Sequence, residues 1–179
     1  MSRNASRLRA VLVVAGVCLV LAWSATTSRY LRSWKDGITL FEHTLRVTRN
    51  NWMAHMSLGG EYADKGRLEE AAEQFRLGLA IHPKDARMRY NLGRTYHLLG
   101  NTEQATLQYY WALSLQPDLA EGHNNLGLIS YAARNYPQAL THFRAALNLQ
   151  PGLTEARRNL QLTLAAGREQ PGGNLDDTR

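Results

Sequence analysis

The stretch HNNLGLISYAARNYPQALTHFRAALNLQPG, His123–Gly152, decides the fold. It holds no phosphate loop and no metal cage, yet its Leu-Gly pair, Ala, Phe and Pro stand at intervals that recur upstream. Blocks of 34 residues, Trp52–Asp85, Ala86–Leu119 and Ala120–Leu153, agree at five positions without a gap. Position 7 reads Leu58, Leu92, Leu126, and position 8 reads Gly59, Gly93, Gly127. Position 20 reads Ala71, Ala105, Ala139; position 24 reads Phe75, Tyr109, Phe143; position 32 reads Pro83, Pro117, Pro151.

The spacing has a direct physical reading. Each block predicts two helical stretches of about 14 residues, each ~21 Å long. Turns fall at Lys65-Gly66, Gly100-Asn101 and Arg134-Asn135, where Gly or Asn takes the left-handed conformation that ends a helix. Pro137 falls in the first turn of the next helix, where a missing N–H costs nothing. Small residues at positions 8 and 20 allow the two helices to approach closely, and the aromatic at 24 is expected to fill the gap toward the neighbouring block. Proline at 32 ends the second helix. A lone hairpin of this kind cannot bury its apolar face, whereas three stacked ones bury a continuous core. The expected fold is all-α, a curved solenoid whose hollow side is lined by the first helices.

Over residues 52–153 this pattern resembles the tetratricopeptide repeat, with its 34-residue period and its Leu-Gly, Tyr, Ala, Phe and Pro positions. Two departures are mild. Gly78 stands where the later blocks have Ala112 and Ala146, and Tyr62 and Tyr96 are followed by Ser130 with Tyr131 beside it. Upstream, Gly37, Phe41 and Thr44 fall at positions 20, 24 and 27 of a half-repeat within residues 29–51, with Arg49 in the proline position. Downstream, residues 154–168 restart the register with Leu160 and Leu164 and read as a polar capping helix; residues 169–179, rich in Pro, Gly and charge, read as a disordered tail.

Charge is unevenly placed. The formal net charge of +6 comes from Arg3, Arg7, Arg9, Arg29, Arg32 and Lys35, and no acid precedes Asp36. Residues 36–179 balance 15 basic against 15 acidic side chains, so no basic face remains for a phosphate backbone and nucleic acid is not an expected partner. The cations flank AVLVVAGVCLVLAWSATTS, residues 10–28, nineteen residues without a charge and close to the ~20 needed to span a bilayer as a helix. Behind the basic tail of residues 1–9 this run reads as an uncleaved signal-anchor, with Trp23, Tyr30 and Trp34 as interfacial anchors. The rival is a cleaved signal peptide ending near Ala22 and Ser24. Cation counts on the two sides nearly match, so the expected topology, a single pass of the cell membrane with the repeats on the extracytoplasmic side, rests on the short acid-free tail. The single cysteine, Cys18, lies in the apolar run and leaves no disulfide or zinc site.

The junction TTSRYLRSWKDGITLFEHTLRVTRNNWMAHMSLG, Thr26–Gly59, with its Trp-x-Asp and Leu-Phe-x-His, is similar to that of bacterial multi-spanning repeat proteins related to protein O-mannosyltransferases. That resemblance implies an exported repeat appendage to a large catalytic membrane bundle. With one apolar run here, none of the family's catalytic residues carries over, and the chain is readable as a C-terminal piece beside a multi-spanning partner.

No constellation points to an enzyme, a metal or a cofactor. The six histidines, His43, His55, His82, His97, His123 and His142, make no ligand spacing on one helix. Projection at 3.6 residues per turn instead places Met56, Arg87, Tyr90, Asn91, Arg94, His97, Asn124, Asn125, Tyr131, Arg158 and Asn159 on or beside the groove face. Position 6 repeats as Asn91, Asn125 and Asn159, either a ladder for the backbone of an extended peptide or a set of bonds to neighbouring helices. The arginines suit a carboxylate, and the Met and Tyr residues a partly apolar floor. The function expected is a membrane-anchored scaffold whose groove binds a peptide or partner protein; the alternative is a module that presents acceptor polypeptide to a glycosyltransferase-like subunit.

Overall fold

The structure is a computed structural model and describes residues 23, 24 and 36–169. Beyond Trp23 and Ser24, which are helical and exposed, the expected membrane helix lies outside the described residues, as does the tail from residue 170. No helix among the described residues is long and apolar enough to cross a membrane.

Among the described residues eight helices follow residue 36: α1 (Gly37–Val47), α2 (Trp52–Asp64), α3 (Leu68–Ile81), α4 (Ala86–Leu98), α5 (Thr102–Leu115), α6 (Ala120–Ala132), α7 (Tyr136–Leu149) and α8 (Thr154–Arg168). The pairs α2–α3, α4–α5 and α6–α7 are the three expected hairpins, and each stacks on the next in chain order. First helices touch one another only lightly, so the array is held by contacts between sequence neighbours.

Repeating chemistry closes each hairpin. After the first helix, Gly66, Gly100 and Arg134 take positive φ (74°, 77° and 58°), and the next N–H, from Arg67, Asn101 and Asn135, returns to the carbonyl of Tyr62, Tyr96 and Ser130 at 2.9 Å. That is the six-to-one closure of a helix C-terminus. In the third unit the left-handed residue is Arg134, not Asn135. Asn135 instead caps α7, accepting from the Gln138 N–H as Asn101 does from Gln104. Asn51 and Asp85 cap α2 and α4 in the same way. Pro137 occupies the first turn of α7, and Pro83, Pro117 and Pro151 follow the ends of α3, α5 and α7.

The repeated Leu-Gly and aromatic positions make the core. Phe75, Tyr109 and Phe143 are at most 1% exposed, and each ring lies across the glycine of its own unit. A Cβ on Gly59, Gly93 or Gly127 would stand 2.7, 2.9 or 2.5 Å from the ring. The aromatic therefore fills the space inside its hairpin, where a glycine without Cβ leaves room for a six-membered ring between antiparallel helices, and it also reaches the next unit, Phe75 sharing a cluster with Leu92 and Tyr109 with Leu126.

Gly78 is explained by the seam between units one and two. A Cβ there would stand 2.6 Å from the sulfur of Met88, which is fully buried at position 3 of the second unit. The next two seams pair small with small: Ala112 and Ala146 occur with Gly122 and Ala156 at position 3. Large meets small at the first seam and small meets small at the others.

Helix α1 behaves as the second half of a preceding unit. Ile38 is buried against the first unit, the Tyr62 hydroxyl donates to Glu42 Oε1 at 2.9 Å, Lys65 pairs with Asp36, and Gly37 leaves space for the Glu61 carboxylate. Helix α8 spans Thr154–Arg168 and buries Ala156, Thr163 and Gly167. Its Leu160 is only half-buried where the equivalent leucines are nearly closed off.

Candidate functional site

Helices α2, α4, α6 and α8 stand side by side and carry every expected groove residue. Arg87, Arg94 and Arg158 are exposed, and Met56, Tyr90, Asn91, His97, Asn125, Tyr131 and Asn159 are half-buried. Asn124 differs: it is 4% exposed, and its Oδ1 accepts from Asn159 Nδ2 at 3.1 Å. Position 5 lies in the seam between successive first helices, so the side chain that reads as groove surface on a helical projection is used in holding α6 to α8.

The asparagines of position 6 all meet that seam, in three different ways. Asn159 bonds Asn124, and Asn125 Nδ2 donates to the Tyr90 hydroxyl at 3.3 Å, both spanning 35 residues of sequence. The counterpart of Asn91 in this register is Met56, which offers no strong acceptor, and the Asn91 side chain makes no hydrogen bond among the described residues. Two rungs therefore serve as helix-to-helix bonds and one keeps its amide for a ligand. Next to it, exposed Arg87 and Arg94 supply positive charge, and the half-buried ring of Tyr90 supplies an apolar wall.

Behind this surface lies an orphan. Among the described residues the Tyr109 hydroxyl is buried with no partner in full hydrogen-bond geometry; the Asn125 amide lies close enough to ease its burial but donates to Tyr90. Burial pushes the Tyr109 phenol far above the ordinary phenol range, and Tyr90 is raised for the same reason. The corresponding residues Phe75 and Phe143 lack the hydroxyl. Tyr109→Phe is accordingly expected to stabilise the fold by about 1–2 kcal/mol, the desolvation cost of an unsatisfied group. In a thermal melt this is a rise of roughly 2–6 °C; a fall would mean that the hydroxyl is satisfied.

Position 4 and position 23 form a second regular feature, on the flank of each hairpin. His55 Nδ1 meets Gln74 Oε1 at 2.9 Å, Arg89 meets Gln108 Oε1 at 3.1 Å, and His123 Nδ1 faces His142 Nδ1 at 3.4 Å. His142 is 19 residues from His123 and on another helix, so a search for ligand spacing along one helix misses the pair; the repeat register is the signal that finds it. Elsewhere, His43 is exposed on α1, and His82 stacks on Trp52 with ring centroids 4.7 Å apart. No cluster of three or more metal-ligating side chains occurs among the described residues.

Family models divide the same ground: a TPR repeat model matches residues 59–100, and tetratricopeptide repeat models match 86–119 and 120–153. Together they cover residues 59–153, over half of the 179-residue chain. The chain is a tetratricopeptide repeat protein. No curated protein matches it in sequence. Among solved structures it is similar to MamA, with a TM-score of 0.70 at 20% identity over 78% of this chain and 82% of that one. It is also similar to the first TPR of Spaghetti (RPAP3) bound to the HSP90 peptide SRMEEVD, with a TM-score of 0.63 at 20% identity over 68% and 97% of the two chains. A third likeness, to the APC/C hetero-tetramer Cut9–Hcn1, has a TM-score of 0.65 at 21% identity and covers 69% of this chain and 25% of that one. These likenesses establish the tetratricopeptide solenoid and go no further. The junction's similarity to O-mannosyltransferase-related proteins finds no counterpart among them.

Proposed function

We propose that this tetratricopeptide repeat protein is a scaffold that holds an extended segment of a partner protein along the face of its first helices. The observation that carries the reading is Asn91, a half-buried amide with no side-chain partner among the described residues, set between exposed Arg87 and Arg94 and the ring of Tyr90. An amide gives a donor and an acceptor to a peptide backbone, while the guanidiniums favour a carboxylate on the same segment. The peptide bound to the Spaghetti repeat supports the reading by likeness of fold. The uncharged run at residues 10–28 favours an array tethered at the cell membrane, and the short acid-free tail before it favours the repeats on the extracytoplasmic side.

The test is a photo-crosslinking residue at Tyr90 in native membranes, with Glu103 on the outer face of α5 as the control. A protein captured at Tyr90 and not at Glu103 should rebind the purified chain, and Asn91→Ala with Arg94→Ala should weaken that binding at least about tenfold, or ~1.4 kcal/mol. Capture no greater at Tyr90 than at Glu103 would overturn the proposal.

A further inference from the structure

We infer that His123 and His142 form a binding site for a tetrahedral divalent metal ion such as Zn²⁺, bridging α6 and α7. The inference is independent of the groove. In the two earlier units the same register positions hold complementary hydrogen-bond partners at 2.9 and 3.1 Å. In the third, two imidazoles face each other through Nδ1 at 3.4 Å, a long hydrogen bond in which either ring can be the donor.

That separation matches a different geometry. Two nitrogens each 2.0–2.1 Å from zinc and subtending the tetrahedral angle are roughly 3.3–3.4 Å apart, whereas a square-planar edge would be about 2.9 Å. The ring centroids are 5.7 Å apart with planes tilted by 36°, so the nitrogens meet nearly head-on. Turning each imidazole by roughly 35° brings both lone pairs onto one metal position, a movement that the broad χ2 well of histidine permits. The ring that carries its proton on Nδ1 passes it to Nε2, so both imidazoles stay neutral and each contributes one lone pair.

The surroundings admit an ion and set its limits. Both rings are half-buried and the adjacent Tyr110 is 45% exposed, which leaves the remaining coordination positions to water. Arg89 and Arg157 take position 4 in the flanking units, but each guanidinium is drawn aside by a backbone carbonyl, Pro83 O and Pro151 O.

The second unit supplies the control. His123→Arg with His142→Gln copies the Arg89–Gln108 pair and keeps the hairpin contact while removing both ligands. The full chain, carrying an affinity tag without histidine, is titrated in detergent with Co²⁺ alone and then with Zn²⁺. One Co²⁺ per chain with a tetrahedral visible spectrum, displaced by Zn²⁺, is expected. The copied pair should lose at least tenfold in affinity and the metal-induced rise in unfolding temperature, and His55→Gln should leave both unchanged. Absence of a tetrahedral Co²⁺ spectrum, or equal affinity in the wild type and the copied pair, would overturn the inference.

Discussion

Phe143→Ala is expected to lower the unfolding free energy by about 3–5 kcal/mol, the range for truncating a fully buried aromatic. The ring is fully buried and lies against the backbone of Gly127, so its loss opens a void between two helices that cannot close without moving the hairpin. The converse change identifies the cause. Gly127→Ala gains roughly 1 kcal/mol of helix propensity, but its new Cβ falls 2.5 Å from the ring. Overpacking of this kind costs about 1–3 kcal/mol, so the clash outweighs the propensity. When Phe143→Ala has already removed the ring, Gly127→Ala should become favourable, giving a coupling equal to the clash, about 1–3 kcal/mol. Denaturant unfolding followed by circular dichroism, with amide exchange in α6 and α7, reads both effects. Additive changes would show that glycine and ring do not share one space.

Met88→Ala is the second large effect, expected to cost about 2–5 kcal/mol at the seam between the first two units. Met88 is fully buried and its sulfur occupies the space that Gly78 leaves free. Adding Gly78→Ala to Met88→Ala creates the small-small seam found at Ala146 and Ala156, so the double variant should recover part of the loss. On the wild-type background the same Gly78→Ala should destabilise. Identical effects of Gly78→Ala on the two backgrounds would refute the account.

Much of this architecture is legible in one sequence because a 34-residue period repeats its errors as well as its signals. Five agreeing positions define the hairpins, Pro83, Pro117 and Pro151 mark where the second helices have ended, and Pro137 marks where α7 begins. What escapes is whatever depends on the depth of a side chain at a seam. A helical projection puts Asn124 on the groove because it registers direction around one axis and not the closeness of the next helix, which buries it. The aromatic positions show that a large residue faces small ones, but not that the small one is in the same unit. Gly78 is visible as a departure, yet its reason lies ten residues on, in Met88. Arg134 takes the left-handed turn because Asn135 is needed as the cap of α7, a competition between two preferences that composition alone does not resolve.

The bonds that cross between first helices are unevenly shared. Asn125–Tyr90 ties α4 to α6 and Asn159–Asn124 ties α6 to α8, while among the described residues none ties α2 to α4. Under tension applied at its two ends, such a stack behaves as springs in series, and the joint beside Asn91 resists through apolar packing, with Met88 seated against Gly78 and no polar tie between its first helices among the described residues. A captured polypeptide that bridges that joint would stiffen the whole array, converting occupancy into mechanical resistance.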